Sequence, residues 1–210
     1  MKSKLKAFFF GVIKYIKVAK VELIILFGLL VLDLVTKAVI AGVMTQGESV
    51  TLIPKFLHFT YIHNDGAAFG STFGLDKLLG EKGTTIFFII FTAIAICFFS
   101  YFLYRGRGKH LLNRIALSMI VSGAIGNLVD RIFLGYVRDF VEIEYFGLTI
   151  FGSTSFAIFN IADVALTVGV ILFAVYCIFI YKDPKEKRKE ENASESVNVE
   201  TAEEKDENND

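Results

Sequence analysis

Residues 115–134, IALSMIVSGAIGNLVDRIFL, decide the fold of this chain. The stretch is long and apolar enough to cross a bilayer as a helix, which takes about 20 residues. Asn127, Asp130 and Arg131 nevertheless lie near its end. Because an ionisable group inside a membrane span costs on the order of 2.5–3.5 kcal/mol, such groups need partners or a function. The segment therefore predicts a membrane helix that packs against other polar helices.

Three more stretches have this length and character, at residues 21–43, 84–103 and 157–181. A hydrophobic fraction of 54% across the whole chain is high for a protein that folds in water. We therefore predict a membrane all-α fold, a four-transmembrane-helix bundle over residues 21–181.

Basic residues indicate the orientation of the spans. They concentrate in residues 1–20, 105–114 and 182–189. The positive-inside rule places these segments, and with them both termini, in the cytoplasm. The loops at residues 44–83 and 135–156 then face outward. Residues 52–62 are strand-like and precede a turn signal, which predicts a small extracytoplasmic β element in the first outer loop.

The two ends of the chain differ from its centre. Residues 1–20 mix lysines with apolar residues, typical either of a helix on the inner membrane surface or of a basic flank that sets topology. Residues 182–210 are rich in Glu and Asn and predict a disordered cytoplasmic tail. Cys97 and Cys177 fall in apolar runs, so we predict no disulfide and no metal site. Membrane lipid is an expected partner and nucleic acid is not, while the oligomeric state stays open.

Polar side chains from three spans lie at one depth. At a rise of about 1.5 Å per residue, those of the first and third spans lie about 18–24 Å from the inner end, and those of the fourth about 5–9 Å from the outer end. All fall toward the outer face: Asp33, Lys37, Asn127, Asp130, Arg131, Asn160 and Asp163.

Each of these residues has a structural and a functional interpretation. Asp33 and Lys37 have the i,i+4 spacing of an ion pair within one helix. Asp130 and Arg131 are either a buried salt bridge or part of a site. Asp163 has no basic neighbour on its own helix, which favours a function. Depth alone does not choose between Asp130 and the loop residue Asp139 as its partner.

The inventory of residue types narrows the chemistry. His58 and His63 lie in the predicted outer loop and His110 in the cytoplasm, which excludes a histidine-based triad within the spans. Neither an H-E-x-x-H helix nor a glycine-rich phosphate loop is present. Carboxylates remain, and two of them held close share one proton, so that one activates water while the other polarises a carbonyl. That reaction needs no cofactor.

Five segments in order resemble one family. They are DLVTK at 33–37, NDGAAFG at 64–70, GAIGNLVDR at 123–131, GYVRDF at 135–140 and FNIAD at 159–163. Together they resemble lipoprotein signal peptidase, or signal peptidase II. The resemblance implies an aspartic endopeptidase of the bacterial cytoplasmic membrane, with its site toward the outer face. Its substrates would be diacylglyceryl-modified prolipoproteins, cut just before the lipidated cysteine.

The same resemblance assigns roles to residues. It implies Asp139 and Asp163 as the catalytic dyad. It further implies a lining of the site by Asn64, Asn127, Arg131 and Asn160, and support from Asp33, Lys37 and Asp130. Ala157 replaces a proline that is common in the family, and Thr154 or Ser155 is a candidate helix cap instead. The alternatives are a proton-coupled transporter or channel subunit, and an inactive lipoprotein-binding homologue.

Overall fold

The computed structural model describes residues 19–66, 72, 74–105, 110–150 and 152–181. The predictions for residues 1–18 and 182–210 lie outside these ranges. Within them are four long helices: α1 (Lys20–Val43), α2 (Leu75–Arg105), α3 (Leu111–Phe133) and α4 (Ile161–Val175), the last followed by a π-helical turn, Tyr176–Ile180. All four, the last counted with its π turn, are long and apolar enough to cross a membrane.

Two helices differ from prediction at their starts. α2 begins before residue 84 and is interrupted at Gly80, whose φ of 69° and ψ of 171° lie outside the helical region. α4 begins at Ile161, later than the predicted residue 157, because Phe159 forms a β-bridge with Val141. The chain divides into two compact units, Met1–Phe173 and Ala174–Asp210, and the features analysed below belong to the first.

Helix α3 is the buried centre of the helices. Both α1 and α2 pack against it. In the stretch of α3 that is apolar enough to cross a membrane, 61% of the residues are buried, compared with 17% or less in each of the other three helices. The reason is its run of small residues, which lets neighbouring backbones approach closely. A Cβ atom at Gly123 would collide with the backbone oxygen of Ala162 on α4, and one at Gly169 would lie 2.9 Å from the Ala116 oxygen on α3.

Helix α1 presents an apolar stripe away from α3. Its exposed members recur every four residues, which aligns them on one face of a helix: Phe27, Val31, Val35, Val39 and Val43. In a soluble protein such an exposed apolar face would favour aggregation, but on a membrane span it is the surface that lipid covers.

The described strands form one antiparallel sheet in the order β1 (Ser49–Ile53), β2 (Leu57–Asn64) and β3 (Val137–Ile143). The predicted β element in the first loop is therefore present, but its third strand comes from the second loop. The four described helices and the small sheet agree with the predicted bundle with a β element, and the strand from the second loop is an addition to it. The extra strand was missed because its partner is distant in sequence, with Asn64 facing Val137.

The sheet lies against the ends of the helices. Phe140 of β3 and Tyr61 of β2 form a buried cluster with Ile40 and Met44 at the end of α1. The backbone N–H groups of Phe140 and Val141 both donate to the Phe159 oxygen, at 3.1 and 2.8 Å, just before α4 begins. Strand β3 is thereby fixed to two helices at once.

Substituting Gly123 with alanine tests the close packing of α3 on α4. We expect Gly123→Ala to lower the free energy of unfolding by about 1–3 kcal/mol, as overpacking does, because the new methyl group meets backbone that cannot rotate away. Gly28→Ala on α1 is the matched control, since nothing lies within 4 Å of its Cβ position. Thermal unfolding in detergent measures both. Equal stability of the two variants would contradict close packing at Gly123.

Candidate active site

Asn160 caps helix α4 and, in doing so, positions Asp163. Its side-chain oxygen accepts the backbone N–H of Asp163 at 3.0 Å, and the Asp163 Oδ2 atom accepts the backbone N–H of Asn160 at 3.1 Å. This reciprocal arrangement is a capping box, which satisfies two N–H groups left unpaired at a helix start. Neither Thr154 nor Ser155 serves as the cap, and Ser155 pairs with Glu144 in a β-bridge.

Asp139 lies on β3 and is 1% exposed. Its Oδ1 atom accepts a hydrogen bond from Asn160 Nδ2, and its Oδ2 atom accepts one from Asn64 Nδ2, both at 2.7 Å. Asn160 therefore contacts both acids, Asp139 through its side-chain nitrogen and Asp163 through its side-chain oxygen and backbone N–H.

The environment of Asp139 favours its protonated form. Burial, and next the nearby charge of Asp163, raise the pKa of Asp139 to about 7, although the bonds from Asn64 and Asn160 act in the opposite direction. Burial penalises a charged carboxylate, and a second carboxylate adds like-charge repulsion. Near neutral pH the pair therefore tends to hold a proton on Asp139.

Asn127 connects this pair to the centre of the helices. Its Nδ2 atom donates to Asp163 Oδ1 at 2.7 Å. Its Oδ1 atom accepts from Lys37 Nζ at 2.9 Å and from Asn160 Nδ2 at 3.1 Å. The Lys37 ammonium group can only donate, so it faces the amide oxygen of Asn127. The NH₂ group of the same amide is therefore directed at Asp163.

Lys37 is fully buried and lies among acids. Its Nζ atom is 2.8 Å from Asp33 Oδ2, the predicted ion pair, and 3.7 Å from Asp130 Oδ2. The other carboxylate oxygen of Asp33 accepts the backbone N–H of Ala162 at 2.9 Å, which ties α1 to the first turn of α4. A Cβ atom at Gly126 would lie 2.5 Å from Asp33, so this glycine leaves room for the carboxylate.

Asp130 pairs with an arginine that the sequence analysis did not consider. Arg138 Nη2 lies 2.6 Å from Asp130 Oδ1, and the Arg138 Nε and backbone N–H both donate to Oδ2. Arg138 stands one residue before Asp139, so this contact holds β3 against the end of α3. The sequence contained a signal for this ion pair, because the two residues carry opposite charges and a turn between them brings them close together.

Arg131 points elsewhere. Its Nη2 atom donates to the backbone oxygen of Gly66 at 2.7 Å, and its guanidinium carbon lies 5.6 Å from the centre of the Phe88 ring on α2. The proposed salt bridge between Asp130 and its neighbour Arg131 is thus replaced by the pair of Asp130 with Arg138. Arg131 instead holds the residues that follow β2.

A cavity of about 430 Å³ opens beside the two acids. Asn64, Asp139 and Asp163 form its polar part. Its remaining walls are mostly apolar and come from α4 and the segment before it: Phe156, Ile158, Phe159, Val164, Leu166, Thr167 and Val168. Such a lining suits a ligand with apolar groups and a few polar atoms that can hydrogen-bond to the carboxyl groups. Among the described residues, no group of three or more His, Cys, Asp or Glu side chains is placed to hold a metal ion.

These features define a class of protein: a multi-span membrane protein with two carboxyl groups at the wall of one cavity. Comparisons with known proteins identify the family. The sequence model described as signal peptidase (SPase) II matches residues 25–179. A lipoprotein signal peptidase of Staphylococcus carnosus (strain TM300) is 38% identical over 159 residues, which cover 76% of this chain and 91% of that protein.

A second relative and a solved structure are also similar to this chain. A lipoprotein signal peptidase of Staphylococcus aureus (strain JH9) is 39% identical over 161 residues, 77% of this chain and 88% of that protein. A solved structure, described as a bacterial membrane enzyme at 1.9 Å resolution, is 34% identical with a TM-score of 0.63, covering 77% of this chain and 95% of that one. The chain belongs to the signal peptidase II family. It is an aspartic protease of prolipoproteins and a multi-pass protein of the bacterial inner membrane.

Two substitutions of Asn160 separate its roles as a helix cap and as a donor to Asp139. Asn160→Ser keeps an oxygen that caps the helix, whereas Asn160→Ala removes it at a cost of about 1 kcal/mol of stability. The side chain of Ala has no donor, and the Ser hydroxyl ends one atom nearer the backbone than the Asn160 amide nitrogen that reaches Asp139. We expect peptidase activity to fall in both and the unfolding temperature to fall mainly in Asn160→Ala. Full activity of Asn160→Ser would show that the contact with Asp139 is dispensable.

Proposed function

We propose that Asp139 and Asp163 are the catalytic dyad of this peptidase. The observation that carries the proposal is Asn160, which hydrogen-bonds to both carboxyl groups at the wall of one cavity. The resemblance of the FNIAD and GYVRDF segments to the family's motifs supports the same pair. Asp130, the competing candidate, is saturated by Arg138 and Lys37 and does not line the cavity.

The two acids divide the reaction between them. Asp163 is the base: it takes a proton from water as the water oxygen attacks the scissile carbonyl carbon. Asp139, protonated because of its burial, donates a hydrogen bond and then its proton to the carbonyl oxygen. Collapse of the tetrahedral intermediate breaks the C–N bond, and the leaving amine takes the proton that Asp163 holds. One of the two hydroxyl groups re-forms the C=O bond and returns its proton to Asp139.

The substrate that we propose is a prolipoprotein whose cysteine already bears a diacylglyceryl group, cut just before that cysteine. Its apolar signal helix and its lipid both lie in the bilayer, so its cleavage site enters from the membrane. The apolar wall formed by Val164, Thr167 and Val168 on α4 suits that route, because α4 is a membrane span. By the positive-inside rule, the cavity faces the outer surface and both termini are cytoplasmic.

The remaining predicted residues hold the dyad in place. Asn127 orients Asp163, and Asn64 together with Asn160 orients Asp139. Asp33, Lys37 and Asp130 form a charged cluster beside them, while Arg131 donates to the backbone oxygen of Gly66, two residues after Asn64. Displacing a catalytic group by about 1 Å can reduce the reaction rate about 10²-fold, so these supports matter for catalysis.

Substituting each acid with its amide tests the dyad. Asp139→Asn and Asp163→Asn should each reduce cleavage of a diacylglyceryl-modified prolipoprotein by about 10²–10⁴-fold, since each removes a proton-transfer group. Cleavage by purified protein is followed by gel shift. Glu142→Gln on the same strand as Asp139 is the control and should cleave at the normal rate. Normal processing by either aspartate variant would overturn the assignment, and a loss of cleavage on adding a chelator would reveal a metal.

The pH dependence of cleavage tests the division of roles. The carboxyl group of Asp139 is protonated below its pKa of about 7 and loses its proton as the pH rises through that value. We therefore expect kcat/KM to fall on the alkaline side of neutrality, as Asp139 loses the proton that it donates. Because the two acids interact, the midpoint of this fall reports a pKa value of the pair. A rate that keeps rising above neutrality would contradict this mechanism.

A further inference from the structure

One hydroxyl group at the cavity wall has no role in the dyad or in its supports. Thr167 on α4 is exposed and lines the cavity. Apart from the asparagine and the two aspartates described above, it is the one described residue of that lining with a polar side chain. Val164 and Val168 flank it on the same helix. A polar group thus lies on a wall that is otherwise apolar.

The Thr167 hydroxyl is available to a ligand. Hydroxyl groups within helices can bond to the backbone carbonyl four residues earlier, and those of Thr84 and Ser118 do so here, at 2.9 and 2.7 Å. Within the part of the chain that the structure describes, the Thr167 hydroxyl takes part in no hydrogen bond. A hydroxyl left unpaired away from water is unfavourable. Its free energy therefore improves when a molecule in the cavity supplies an acceptor.

Thr167 lies one helical turn from Asp163. The two residues are four apart on α4, so they share a face of the helix and are separated by about 6 Å along its axis. In the orientation proposed above, α4 starts at the outer face, and Thr167 lies deeper in the membrane than Asp163. The signal segment of a prolipoprotein also lies in the membrane. The residues that precede the cut therefore pass Thr167 when the scissile bond is at the dyad.

The geometry of an extended chain identifies the group that meets Thr167. Inside an α-helix each carbonyl accepts the N–H four residues on, so the substrate must be extended where it is cut. An extended chain rises about 3.3 Å per residue, and successive residues face opposite sides. The carbonyl two residues before the scissile one therefore lies about 7 Å away and points to the same side. That spacing matches the helical turn between Asp163 and Thr167.

We propose that the Thr167 hydroxyl binds the substrate by donating a hydrogen bond to the peptide carbonyl two residues before the scissile one. The proposal rests on the proposed dyad, which fixes where the scissile carbonyl lies. The contact is made to the backbone, so it holds substrates of different sequence in the same register. It thereby aligns the scissile carbonyl with Asp139 and Asp163.

Removing the hydroxyl tests the contact. Thr167→Val keeps the branched shape and removes the donor, whereas Thr167→Ser keeps the hydroxyl. For a diacylglyceryl-modified prolipoprotein, we expect kcat/KM to fall about threefold to tenfold in Thr167→Val, the range for one net hydrogen bond, and to stay close to the wild-type value in Thr167→Ser. Thr92→Val is the matched control, since Thr92 lies on α2 and is not among the described residues that line the cavity. Thermal unfolding verifies that each variant folds, and Thr167→Ala is a second variant without the hydroxyl.

Two altered substrates identify the acceptor. In the first, an ester replaces the peptide bond whose carbonyl is proposed to bind, because an ester carbonyl is a weaker acceptor than an amide carbonyl. We expect this change to lower kcat/KM severalfold more in the wild type than in Thr167→Val, since the variant has no contact to lose. In the second, ethers replace both esters of the diacylglyceryl group, which removes the lipid carbonyls. The ratio of kcat/KM between wild type and Thr167→Val should then stay unchanged.

Three results would overturn the proposal. Equal kcat/KM of wild type and Thr167→Val would show that the hydroxyl does not bind substrate. An equal effect of the backbone ester on both proteins would mean that another group meets that carbonyl. A difference between the proteins that disappears with the ether lipid would identify a lipid ester as the acceptor. Each result is a ratio between variants and substrates, so it is distinguishable from a failure of the dyad, which Asp139→Asn and Asp163→Asn test separately.

Discussion

The burial of the Lys37 ammonium group is the constraint on which the rest of the structure depends. A fully buried charge in a membrane span is tolerated only with partners, and its removal from such a pair costs about 3–5 kcal/mol. Here the partners are Asp33 on the same helix and Asp130 and Asn127 on α3. Charge pairing therefore fixes the rotation and depth of α1 against α3, and places a polar centre where apolar packing would give none.

The arrangement of the proposed dyad is built outward from that centre through amide side chains. The side-chain oxygen of Asn127 accepts a hydrogen bond from Lys37, and its side-chain nitrogen donates one to Asp163. Asn160 caps α4 and extends its nitrogen to Asp139 on the sheet. Amides suit this role because each carries a donor and an acceptor without adding charge. The start of one helix and one strand are thus coupled to the same ammonium group.

The sequence by itself determined the spans, their polar layer and the family. Apolar length identified the four described helices, and i,i+4 spacing identified the ion pair of Asp33 with Lys37. These features were predictable because they depend on neighbours along one helix or on composition. The motifs also contained the polar residues Asn64, Asp139 and Asp163, which line the cavity. Asp139 was ambiguous from depth alone, and only the family resemblance ranked it above Asp130.

Only the tertiary structure decided how distant segments meet. The third strand and the hydrogen bond from Asn160 to Asp139 join residues that come together only where the sheet meets the helices. Sequence patterns report periodicity within an element, whereas strand pairing and side-chain partners follow from packing between elements. The sheet that carries Asp139 is the clearest case, because β3 acquires its partner from the other loop.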